Sequence, residues 1–187
     1  VFDLVSSPAT TETLGGFGAY TLSEVTQNAL VSLAVPKACL EDARRLVREQ
    51  YGFDLPQPES ICVNNDQSYS AFWMARGQWM LERQESHNLN WEESLAAENV
   101  GYVTEQTGAW VRLDLKGPEL PMLIQRLANV PSWRLVEPTA IRTAIHHLGV
   151  FMVCRSSCIS IYGPRSSADT LARSVKFAMH TVNCLVN

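Results

Sequence analysis

The stretch SYSAFWMARGQWMLERQ, residues 68–84, decides the fold. Its two arms are rich in aromatic and apolar side chains, which suit a pleated surface. Ala75-Arg76-Gly77 between them supplies the glycine of a tight turn, so the stretch reads as a β-hairpin. Upstream, LVSLAVP (30–36) is a short strand run closed by Pro36. KACLEDARRLVREQYG (37–52) then places Leu40, Ala43, Leu46, Val47 and Tyr51 at helical spacing, with Gly52 as the stop. Glu41 and Asp42 lie in its first turn and Arg44, Arg45 and Arg48 further on, an order that complements the helix dipole. Those arginines read as a solvated helix face, with a phosphate site as the alternative. Downstream, NWEESLAAEN (90–99) is a short helix with Asn90 as a candidate cap and Glu92 and Glu93 in its first turn. GYVTEQT (101–107) is a strand. Strand, helix, strand, strand, helix, strand is the ferredoxin-like βαββαβ order.

A related pattern follows. In GAWVRLDLKG (108–117), Val111, Leu113 and Leu115 face one way and Arg112 and Asp114 the other. PELPMLIQRLA (118–128) predicts a helix with Pro118 at its first position and Leu120, Leu123, Ile124 and Leu127 on one face. AIRTAIHH (140–147), VFMVCR (150–155) and CISIY (158–162) read as strands, with RSSC as a turn. A closing helix starts at Ser166 or Ser167, its buried stripe running through Ala168, Leu171, Ala172, Val175, Met179 and Val182. This pattern predicts the α+β class, a ferredoxin-like lobe followed by a second antiparallel sheet-and-helix lobe. Residues 21–187 form one domain of two sub-lobes, about 28–105 and 106–187. Residues 1–20, rich in Ser, Thr, Ala and Gly, read as a flexible arm, or as a tail that orders against a partner.

Composition narrows the function. The chain has 187 residues and a net charge of −4, which argues against a general nucleic-acid binder. LGVFMVC (148–154), the longest apolar run, is far too short for a membrane span. No basic-then-apolar leader opens the chain. Cys39, Cys62, Cys154, Cys158 and Cys184 are odd in number and irregularly spaced, as in reduced thiols, so a cytoplasmic location is expected.

Each candidate for chemistry has a plain structural reading beside it. Ser166 with Asp169 three residues on resembles a capping box, and Arg165 before the helix start is a candidate anion contact. Cys154 and Cys158, with His146-His147, suggest zinc, but adjacent strand residues point to opposite faces, so buried thiols are the default. His87 and His180 lack triad companions in the sequence. Phe177 falls opposite the buried stripe of the last helix, beside Thr170, Arg173 and His180. Phe177, Arg173 and His180 are therefore candidate partner contacts. No catalytic, cofactor-binding or metal-ligating residue is assigned.

The ordered landmarks resemble one family. They are YTLSEVTQNALVSL (20–33), YGFDLP (51–56), Trp73, Gly77 and Trp79 of the hairpin, Gly117-Pro118, Thr143, and YGPRSSADTL (162–171) with Arg165, Ser166, Ala168 and Leu171. In this order they resemble the gamma subunit of heterotetrameric sarcosine oxidase, as a divergent member. The resemblance implies a fold like the folate-binding domain of the glycine cleavage T protein. It also implies a non-catalytic assembly role in a complex that oxidatively demethylates sarcosine to glycine with tetrahydrofolate and O2, giving methylene-tetrahydrofolate and H2O2. By resemblance the partners are alpha, beta and delta subunits, which carry FAD, FMN, NAD, tetrahydrofolate and Zn; no cofactor is expected in this chain. The alternative is a stand-alone folate-binding one-carbon-transfer module, for which Trp73, Trp79 and Trp110 are candidate pterin walls.

Overall fold

The elements run in chain order as β1 (Gly15–Phe17), β2 (Tyr20–Val25), β3 (Asn28–Ala34), α1 (Leu40–Tyr51), β4 (Ile61–Val63), β5 (Tyr69–Ala75), β6 (Gln78–Gln84), α2 (Trp91–Ala97) and β7 (Tyr102–Glu105). There follow β8 (Trp110–Lys116), α3 (Leu120–Leu127), β9 (Ala140–Ile145), β10 (Leu148–Arg155), β11 (Cys158–Pro164) and α4 (Ala168–Val186). The computed structural model describes residues 7–84 and 91–186; His87 and Asn90 lie outside them. The chain divides into two units, one of residues 27–108 and the other drawn from 1–26 and 109–187.

In the 27–108 unit the five strands lie in the order β4-β5-β6-β3-β7, all antiparallel. With the edge strand β4 set aside, the first strand, β3, sits between the third and fourth, β6 and β7, which is the ferredoxin-like arrangement. Val31, Leu33, Ala71, Trp79 and Leu81 pack with Ala43 and Val47 of α1 and Trp91 and Leu95 of α2. The α1 helix ends as expected: Gly52 takes φ 77° and its N–H donates to Arg48 O at 3.1 Å, the left-handed cap that glycine adopts without a Cβ penalty. The indole N–H of Trp91 donates to Tyr51 Oη at 3.0 Å. Burial raises the pKa of that phenol.

In the other unit six strands follow the order β1-β2-β8-β11-β10-β9. β2, β8, β11 and β10 repeat the same relative order, but the closing strand, β2, precedes the others in sequence instead of following them. That permutation explains why residues 20–25 belong with a sheet whose other long strands start after residue 109. Leu113, Leu115, Met152, Ile159 and Ile161 pack with Leu123 and Ile124 of α3 and with Leu171, Val175, Met179 and Val182 of α4. A Cβ on Gly163 would stand 2.8 Å from Leu171 Cδ2. The Gly-Pro step before α4 therefore marks close packing of strand against helix.

Several local expectations are corrected. His146 and His147 are not strand residues; they take φ 44° and 72° and form the two-residue turn between β9 and β10. The positive φ at both positions is that of a type I′ hairpin, which histidine tolerates better than branched residues do. Pro118 precedes α3, whose proline in the first turn is Pro121, after Glu119 as N-cap. A 3₁₀ turn, Arg165–Ser167, precedes α4, and its N-cap is Pro164, with no side-chain cap hydrogen bond. Ser166 is thus inside the turn and out of the capping position. Residues 9–17, expected as part of an arm, include β1, which pairs antiparallel with β2.

Candidate functional site

The 27–108 unit carries a groove of about 640 Å³, walled in part by the 68–84 hairpin. Trp73 and Trp79 are direct cross-strand partners, so their side chains lie on one face of the sheet. Trp79 is buried and its indole N–H donates to Pro56 O at 2.8 Å, which fixes it as a floor. Trp73 is only half-buried and walls the groove. Val35, Leu40, Pro56 and Pro58 add apolar lining, and Lys37, Arg44 and Arg76 are its cations. Trp110, the third candidate wall, is on β8 in the other unit, with its ring 5.6 Å from Phe151.

The α1 arginines are matched with acids. Arg44 contacts Glu41 at 2.9 Å, Arg45 contacts Asp42 at 2.8 Å, and Arg48 pairs with Asp54. Exposed pairs of this kind stabilise little, and they make the helix face chiefly a solvated one.

The other unit holds a buried polar network that alternation alone did not reveal. Arg112 Nε and an Nη each donate to the Asp114 carboxylate at 2.8 Å. Ser160 Oγ donates to Asp114 Oδ1 at 2.7 Å, while Arg155 donates to Ser160 Oγ at 3.1 Å and to Tyr162 Oη at 2.8 Å. Arg112 and Asp114 face away from Val111, Leu113 and Leu115 as expected, yet they are 6% and 8% exposed. The sheet register brings the group together, with Asp114 opposite Ser160 and Arg112 opposite Tyr162, a pairing that the sequence pattern does not display. A second such group links Glu82 to Asn28 at 2.7 Å and to Ser70 at 3.3 Å in the 27–108 unit. These carboxylates act as hydrogen-bond centres within their sheets.

Cys154 and Cys158 are both buried. Burial, then the neighbouring Cys158, pushes the Cys154 thiol up to about 11, and burial also raises Cys158. The two alternate along the hairpin, Cys154 opposite Ile159 and Cys158 opposite Arg155. No group of three metal-ligating side chains occurs among the described residues.

On α4, the candidate contacts divide. Phe177 is 74% exposed. The His180 ring lies 3.5 Å, centroid to centroid, from Phe17, and Arg173 stands 4.0 Å from Glu12, which Lys176 also meets at 2.8 Å. Asp169, read as half of a capping box, instead accepts the Thr10 hydroxyl and the Thr11 N–H, each at 2.7 Å. Arg165 donates to Ser7 O at 2.7 Å. The N-terminal segment thus takes up polar groups that the sequence left without partners.

No family model matches the sequence, and the curated proteins give no match. Among solved structures, a chain of heterotetrameric sarcosine oxidase from Corynebacterium sp. U-96, in complex with pyrrole 2-carboxylate, is similar at TM-score 0.74 and 18% identity, over 90% of this chain and 88% of that one. Glycine cleavage system aminomethyltransferase T from Bartonella henselae is similar at TM-score 0.60 and 16% identity, over 84% of this chain and 45% of that one. The fold is therefore T-protein-like, as the motif order implied.

Proposed function

We propose that this chain is a gamma-type structural subunit of a sarcosine-oxidase-type complex. The observation that carries the reading is the structural match at TM-score 0.74, which runs over nine-tenths of this chain. Together with the ordered landmarks, it favours a subunit role over a free-standing enzyme. The chain's buried ionisable groups fit that role. Asp114 and Glu82 are engaged by side chains of their own sheets, and Cys154 is a poor nucleophile because burial disfavours its thiolate. In this reading alpha, beta and delta subunits carry the flavins, NAD, folate and zinc, the complex is cytoplasmic, and sarcosine is its substrate. Phe177, presented on the outer face of α4, is the contact offered to a partner.

The test is co-expression with alpha, beta and delta subunits from the same source, followed by size exclusion with detection at flavin wavelengths. The tagged chain is expected to elute with the flavin-bearing subunits. Elution as a monomer beside an assembled alpha-beta-delta complex would overturn the role.

A further inference from the structure

We propose that the Trp73–Trp79 groove is a binding site for a planar aromatic anion, independent of the assembly role above. Three observations converge. The volume, about 640 Å³, falls in the range of small-molecule pockets, which are apolar and carry a few placed polar groups. Its wall is the exposed part of the Trp73 indole over the fixed Trp79 floor, a surface on which a flat ring can lie offset. Its charge is of one sign, because Lys37, Arg44 and Arg76 line it and no carboxylate does. Arg44 shares its charge with Glu41 at 2.9 Å. Lys37 and Arg76 make no ion pair among the described residues.

Local structure fixes the backbone that carries the cations. Lys37, Leu40 and Arg44 recur at helical spacing where a 3₁₀ turn, Lys37–Cys39, passes into α1, so they stand along one side. Arg76 is at the hairpin tip, and Gly77, at φ 71°, lets its own carbonyl accept the Val35 N–H at 2.8 Å. A Cβ on Gly77 would come within 3.0 Å of Val35 O. That bond ties the tip to the strand end that leads into Lys37. A register irregularity between Trp73 and Ala75 bends the wall strand just before the tip. An anion seated here would take charge-assisted hydrogen bonds from Lys37 and Arg76 while its ring covers indole otherwise open to water. On a chain of net charge −4, this is a local reversal of sign.

The test is a fluorescence titration of the full chain with 8-anilinonaphthalene-1-sulfonate, alongside its uncharged analogue N-phenyl-1-naphthylamine. One saturable site is expected, with the uncharged analogue about tenfold weaker. Trp73→Ala and Arg76→Glu are each expected to weaken the sulfonate about tenfold. Thermal melting checks that Trp73→Ala still folds; Arg76 is an exposed turn residue, so Arg76→Glu serves even if it does not. Dye affinity unchanged in Arg76→Glu, or equal binding of both dyes, would overturn the proposal.

Discussion

Asp169 Oδ1 accepts the Thr10 hydroxyl at 2.7 Å and fastens the N-terminal segment to the first turn of α4. Hydrogen bonds from Thr10, then Thr11, hold the Asp169 carboxyl below the usual carboxylate range. A depressed folded pKa means the contribution is present above the unfolded value, about 3.9, and is lost as pH falls through the folded one. Asp169→Asn is expected to lower the protection factor of the Thr11 amide at neutral pH, and acidification through the depressed carboxyl pKa, below the unfolded value of about 3.9, to lower it in the parent relative to the intrinsic exchange rate at each pH. Hydrogen exchange followed by NMR reads both.

Asp114→Ala leaves the buried Arg112 guanidinium without its carboxylate. A loss of about 3–5 kcal/mol is expected, whereas Arg112→Met with Asp114→Leu should cost much less because no charge is stranded. Urea unfolding of the three proteins measures the difference.

Gly163→Ala drives a methyl toward Leu171 Cδ2, at 2.8 Å before relaxation. Overpacking here is expected to cost about 1–3 kcal/mol. Adding Leu171→Val should recover part of it, read as the change in Tm.

Thiol reactivity should follow exposure. Cys184 is exposed, Cys39 and Cys62 are half-buried, and Cys154 and Cys158 are buried. At pH 8 iodoacetamide is expected to label Cys184 first and Cys154 and Cys158 only after denaturation, as peptide mapping would show. An unfolded thiol ionises near about 8.5, whereas Cys154 stays protonated to about 11. The unfolded chain thus binds fewer protons between those values, and stability should fall as pH rises through them.

Phe177→Asp, on an exposed helix position, is expected to leave the Tm of the isolated chain unchanged and to reduce recovery of the complex. Normal recovery would remove Phe177 from the interface.

Much of the fold was legible in local pattern. The 68–84 hairpin, the α1 stripe and its Gly52 stop follow from periodicity and backbone freedom, which act over a few residues. The permuted strand β2 was not, because Glu24 breaks the apolar alternation begun by Tyr20 and Leu22 and its partner β8 is some ninety residues away in sequence. His146-His147 hid a turn because neither is the glycine or asparagine that usually marks one. Asp169 shows the same limit: the capping box was a sound local reading, but Thr10 and Thr11 reach its carboxylate from the far end of the chain. Trp73 and Trp79 were visible as candidate walls, while their cations emerged only once α1 and the hairpin tip were brought together.

The most direct measurement is affinity purification of the tagged chain from its own cells, with mass spectrometry of what accompanies it and a flavin spectrum of the eluate. The expected result is a stoichiometric complex with alpha, beta and delta subunits whose flavin is absent from the chain purified alone. Recovery of the chain as a flavin-free monomer, while those subunits assemble without it, would contradict the subunit role.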